Sequence, residues 1–123
     1  MVSKNDFQNF ESGQSIIREG EQANYVYLIQ KGKAKVIKNN GAGRDESEIA
    51  VLGPGEIFGE IGLLGKGAHT ATVKAVNDIT VIPVSREQIS MKLENSDPLV
   101  RRMLEMLVDR INKANERIIS KSE

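Results

Sequence analysis

Apolar positions follow two rhythms along this chain. Up to about residue 85 they fall in short runs broken by glycine-bearing turns about every 8 to 12 residues, the spacing of an all-β sandwich or barrel. Beyond that point the period becomes helical. Tyr25-Val26-Tyr27-Leu28-Ile29 and Lys33-Ala34-Lys35-Val36-Ile37-Lys38 flank Lys31-Gly32 and read as a hairpin, with Ala34 and Val36 alternating against Lys33, Lys35 and Ile37. The polar stretch 39–47 reads as a solvated loop before the strand 48–52, and Gly53-Pro54-Gly55 turns the chain. Ala71, Val73 and Ala75 alternate with Thr72, Lys74 and Val76, and Ile79-Thr80-Val81-Ile82-Pro83-Val84 follows Asn77-Asp78 as the partner of a second expected hairpin. Pro83 has no N–H to give a ladder, so its end of the strand is expected at a sheet edge. Phe7 and Phe10 are expected to anchor the core.

The helical part opens at Ser85, whose hydroxyl can accept from an orphan backbone N–H, and a short helix is expected to about Glu94. Asp97-Pro98 then starts a longer helix, with aspartate as cap and proline at the first helical position. Val100, Leu104, Leu107, Ile111, Ala114 and Ile118 are spaced 4, 3, 4, 3, 4, a heptad seam suited to a homodimer. Leu99, Met103 and Met106 form a second stripe on the first turns, expected to pack on the chain's own β part. The alternative is one amphipathic helix with a wide apolar face.

Composition narrows the function classes. At 123 residues there is room for one domain, with the β roll over about 8–84 and the helices over about 85–120. Lys plus Arg and Asp plus Glu each count 17, so the basic excess of a nucleic-acid module is missing. No Cys is present, which removes disulfides, thiolate catalysis and cysteine-held metals and fits a reducing, cytoplasmic setting. No apolar run approaches the roughly 18 residues of a spanning helix, so no membrane segment is expected. One His, no nucleophile–base pair and no metal-ligand cluster leave no argument for an enzyme.

The chemistry concentrates in residues 55–73. Five glycines there let backbone approach a ligand closely, and a short helix through Glu60-Ile61-Gly62-Leu63-Leu64 would aim free N–H groups at an anion such as phosphate. Glu60 has no attraction for phosphate, so its role in binding would be to accept from hydroxyls, as of a ribose.

Phe10-Glu11-Ser12-Gly13-Gln14-Ser15-Ile16-Ile17-Arg18-Glu19-Gly20, then Tyr27-Leu28-Ile29-Gln30-Lys31-Gly32-Lys33-Ala34-Lys35-Val36, then Phe58-Gly59-Glu60 closing on Ala71-Thr72-Val73 resemble the cyclic nucleotide-binding domain family. The resemblance runs from about residue 10 to 120. It implies a mainly β fold, a jelly roll or double-stranded β-helix followed by B and C helices, with cyclic AMP or cyclic GMP as ligand and no other cofactor. Glu60 would then bind the ribose 2′-hydroxyl, and backbone amides of Gly59, Ile61 and Gly62 would reach ribose or phosphate. Thr70, beside Ala71, would touch phosphate or a guanine amino group. The C helix, here Pro98 to Ile119, is where the family's catabolite activators dimerise and cover the base.

His69 departs from the family pattern, which places a phosphate-gripping arginine directly before the Thr70-Ala71 pair. Histidine lacks the permanent charge and the fork, and losing a charged hydrogen bond of about 1.5–3 kcal/mol weakens binding roughly 10- to 150-fold. Lys66 or Lys74 could supply the missing charge. Two readings follow: a regulatory domain that senses cyclic nucleotide and relays it through the C helix, or an interaction module of the same fold that has lost its ligand. Transcription factors of the family continue into a winged helix, and this chain ends at Glu123, so no direct contact with nucleic acid is expected.

Overall fold

The computed structural model describes residues 7–39, 46–65 and 67–122, with the side chains of the last helix described up to Arg110 and at Lys113. The chain runs β1 (Gln8–Phe10), β2 (Ser15–Ile17), β3 (Tyr25–Lys31), β4 (Ala34–Asn39), β5 (Glu46–Leu52), β6 (Ile57–Phe58), α1 (Glu60–Leu64), β7 (Thr72–Ala75), β8 (Ile79–Ser85), α2 (Arg86–Glu94) and α3 (Pro98–Ser122). The strands form two antiparallel four-stranded sheets, ordered β1-β8-β3-β6 and β2-β7-β4-β5. They make the expected β roll followed by C-terminal helices. Side chains pointing inward from both sheets build the core, with Ile29, Ala34, Val73, Ala75, Ile79 and Val81 buried and Phe10 and Tyr27 packed against it. Phe7 is half-buried.

Neither expected hairpin forms. β3 pairs with β6 and β8, while β4 pairs with β5 and β7. In the same way β7 lies on β2 and β4, and β8 on β1 and β3. Both links therefore carry the chain from one sheet to the other, and they are packed against each other. Gly32 has φ of +90°, and a Cβ there would lie 2.5 Å from the Asp78 carbonyl oxygen and 2.8 Å from the Ile79 Cα. Only glycine fits that position. The Asn77 side chain accepts from the Lys33 N–H at 2.8 Å, tying one crossover to the other.

Two further expectations need correction. Ile37 is buried rather than turned outward; beside it the β4–β5 register slips between Val36 and Ile37, with Ile49 the extra residue on β5. The Pro83 end of β8 has one open side, as expected: β1 pairs β8 only as far as Val81, so among the described residues Pro83 pairs with β3 alone. Glu46 and Ser47 belong to β5 and Asn39 to β4; the rest of the expected loop, 40–45, lies outside the described residues.

Both helix starts are as read. Ser85 Oγ accepts from the Gln88 N–H at 3.2 Å while Gln88 Oε1 accepts from the Ser85 N–H at 2.8 Å, a reciprocal capping box. Asp97 Oδ1 accepts from the Leu99 N–H at 2.8 Å at the start of α3. The face that α3 turns to the domain differs from the one expected. Leu104 and Val108 line an apolar groove of about 480 Å³ with Leu64, Ile89 and Leu93, whereas Leu99 and Met103 are 68% and 55% exposed. At about 100° per residue the Leu99, Met103 and Met106 stripe lies on the opposite side of the helix.

Candidate functional site

The site is built where β6 runs into α1. Phe58 is buried at the end of β6, its ring stacked on Tyr27 with centroids 5.2 Å apart. Gly59 then reverses the chain with φ of +89°, so close to β3 that a Cβ would stand 3.1 Å from the Tyr25 carbonyl oxygen. Among the described residues no side chain caps α1 at this end. Gly62 is required for a different reason: a Cβ there would come within 2.8 Å of the Ala68 carbonyl oxygen and 3.1 Å of the Ala23 Cβ. Its small size lets the return segment lie flat on the helix.

That return segment is held by backbone. The Gly67 N–H donates to Gly62 O at 2.9 Å, the Ala23 N–H to Gly67 O at 2.6 Å, the His69 N–H to Glu21 O at 2.9 Å and the Gly20 N–H to His69 O at 2.8 Å. His69 is thereby fixed between α1 and the turn at residues 20–23.

Between these segments and the second sheet lies a cavity of about 210 Å³. Gly59, Glu60, Ile61, Gly62, His69, Thr70 and Ala71, the residues singled out from the sequence, all line it. Opposite them Ile17, Val36, Leu52 and Val73 supply an apolar floor from four strands. Sequence reading did not select this floor. Its signal is the inward-facing parity of the strands, which places residues against a cavity as readily as against other side chains.

Two groups at the cavity stand out. Glu60 Oε2 is buried and has no hydrogen-bond partner among the described residues. A buried, unpartnered acceptor costs about 1–3 kcal/mol, and more when charged, so this oxygen is a vacant place for a donor. His69 is 6% exposed, and its imidazole makes no hydrogen bond among the described residues. Burial pushes its pKa below the usual histidine value, opposed in part by the nearby Glu21 carboxylate, so the ring is largely uncharged at pH 7. Lys74 is half-buried on β7 and does not line the cavity; Lys66 lies outside the described residues. No Lys or Arg is found among the described lining residues, and no described cluster of side chains could hold a metal ion.

The arrangement offers a hydroxyl-accepting carboxylate, a short helix start and an apolar floor, which together suit a sugar and a flat heterocycle. The sequence profile described as "Cyclic nucleotide-binding domain" matches residues 7–96. The chain is 37% identical over 125 residues to the human potassium/sodium hyperpolarization-activated cyclic nucleotide-gated channel 1, covering 98% of this chain and 13% of the channel. It is 27% identical over 106 residues to the cyclic AMP receptor protein of Thermus thermophilus, covering 86% of this chain and 49% of that protein. The chain thus spans half or less of these relatives. Among solved structures, the half-site-occupied form of the EAL enzyme Bd1971 superposes with a TM-score of 0.78 at 26% identity, over 89% of this chain and 96% of that one. The cyclic AMP-bound form of the same enzyme gives 0.73 at 25% identity, over 94% and 30%.

Proposed function

The chain belongs to the cyclic nucleotide-binding domain family, and we propose that it is a regulatory domain that takes cyclic AMP or cyclic GMP into the cavity beside α1 and relays occupancy through α3. The observation that carries this reading is the buried Glu60 Oε2 in the cavity wall, an acceptor that a ribose 2′-hydroxyl would satisfy. In this reading the amides of Gly59, Ile61 and Gly62 face ribose or phosphate, Thr70 and Ala71 border the phosphate, and the base lies on the apolar floor. Thr70, exposed at the cavity mouth, admits guanine as well as adenine. Cysteine-free composition fits a cytoplasmic regulator, and no described helix is long and apolar enough to cross a membrane.

Relay requires that the ligand favour one of two arrangements of the helices. Leu64 of α1 shares the apolar groove with Leu104 and Val108 of α3, so a shift of α1 on binding reaches α3 through that contact. The neighbouring seam, on which Val100, Leu104 and Leu107 are all exposed, is the homodimer surface of this reading. Ile111, Ala114 and Ile118 would extend it, but their side chains lie outside the described residues.

Calorimetric titration with each nucleotide tests the assignment. Micromolar binding that Glu60→Ala weakens at least about tenfold is expected, from the loss of a charge-assisted hydrogen bond. Unchanged affinity in Glu60→Ala contradicts the ribose role. A second reading, an interaction module without nucleotide, is favoured by the uncharged His69 where the family pattern has arginine. No heat at millimolar nucleotide supports it.

A further inference from the structure

We infer that nucleotide binding in this cavity takes up a proton on His69, so that the domain reads cyclic nucleotide and pH together. This rests on the nucleotide reading above and adds to it a condition set by this chain's own histidine.

The geometry leaves little else to meet an anion. Among the described residues lining the cavity, His69 is the one side chain able to become cationic. Its backbone is pinned on both sides, by the Gly20 and Glu21 hydrogen bonds, and its Cε1 lies 3.5 Å from where a Gly59 Cβ would be. The ring therefore stands beside the turn into α1, with no hydrogen bond among the described residues to compete for its nitrogens.

Among the described residues the charges facing it are few. From the turn at residues 18–21 come Glu21, which favours the protonated ring, and Arg18, 3.7 Å from Glu21 in an exposed pair. Glu19 Oε1 is engaged by the Asn39 N–H. From α1 comes Glu60, and from β3 the Tyr25 backbone carbonyl and the edge of the Tyr27 ring lie beside Gly59. Strands β2, β4, β5 and β7 present Ile17, Val36, Leu52 and Val73.

The sign follows directly. Empty, the buried ring holds its proton less tightly than an ordinary histidine. A phosphodiester anion beside it favours the protonated form, so the bound state has the higher pKa. Between those two values binding draws one proton from solution, and affinity rises by up to about tenfold for each pH unit of acidification. Above the bound-state value affinity is weak and independent of pH.

The test is calorimetric titration with cyclic AMP and cyclic GMP between pH 5.5 and 8, in buffers of different ionisation enthalpy, on the wild-type chain, His69→Gln and His69→Arg. We expect wild-type affinity to rise on acidification, with the buffer dependence of the heat approaching one proton taken up. His69→Gln should bind weakly and His69→Arg tightly, both without pH dependence. Wild-type binding that is flat across this range with no proton uptake overturns the coupling and leaves the nucleotide reading intact. The same pH slope in His69→Gln also overturns it, because the proton would then go elsewhere. No binding by any of the three chains at any pH overturns the nucleotide reading itself, and the coupling with it.

Discussion

The β roll and the last helix treat apolar side chains in opposite ways. In the roll, Ile29, Val73, Ala75, Ile79 and Val81 are at most 2% exposed, locked between two sheets. On α3, Leu99, Val100, Met103, Leu104, Met106 and Leu107 are each at least 41% exposed. Burial of an apolar side chain is worth about 1.5–3 kcal/mol, so the roll is fixed by packing while α3 is fixed mainly by its own hydrogen bonds and the Asp97 cap. A region held by packing can keep a cavity in shape. A helix whose apolar surface is still exposed is suited to move or to acquire a partner.

Mutations can break this contrast, beginning with the largest effects. Leu63 of α1 is fully buried against Ala23 and the β3 residue Val26, so Leu63→Ala should cost about 2–5 kcal/mol and lower Tm by on the order of 10 °C in a thermal melt. Gly32→Ala should cost at least about 1–3 kcal/mol in denaturant unfolding, since it combines an unfavourable positive φ with contact against backbone at Asp78. Ser85→Ala removes half of the capping box and should cost about 1 kcal/mol. Leu107→Lys, on the exposed seam, should change unfolding free energy by no more than about 0.5 kcal/mol. The same variant should shift sedimentation toward the monomer; an unchanged mass would remove this seam from the proposed dimer.

The pH dependence of stability sharpens the contrast at the site itself. Because His69 has a lowered pKa in the fold, its contribution is fully present above the unfolded value near 6.5 and is lost as pH falls through the window below it. Thermal melts of the nucleotide-free chain should therefore fall more steeply below pH 6.5 than those of His69→Gln.

Much of this was legible before any coordinates. Strand parity located Val73 and Ala75 in the core, Ser85 and Asp97 marked both helix starts, and the Gly59-Glu60 turn announced α1. The pairing of strands was not. A glycine between two apolar runs looks the same whether the chain folds back in one sheet or steps to the other, and at Gly32 it is the Asp78 backbone, 46 residues further along, that decides. The burial of Ile37 and the register slip of β5 beside it are likewise not carried by a single strand's alternation. Two apolar stripes on α3 were visible, but periodicity does not say which side meets the domain. The buried Glu60 oxygen, unpartnered among the described residues, and the burial of His69 are features of the tertiary arrangement.

The central claim is that the pocket between α1 and the β2-β7-β4-β5 sheet is a nucleotide site, and amide chemical shifts during titration with cyclic AMP and cyclic GMP test it most directly. The account predicts that the largest shifts fall on Gly59, Glu60, Ile61, Gly62, His69, Thr70 and Ala71, with smaller ones reaching Leu104 and Val108. Spectra that stay unchanged at millimolar nucleotide, or shifts confined to residues away from that pocket, would contradict it.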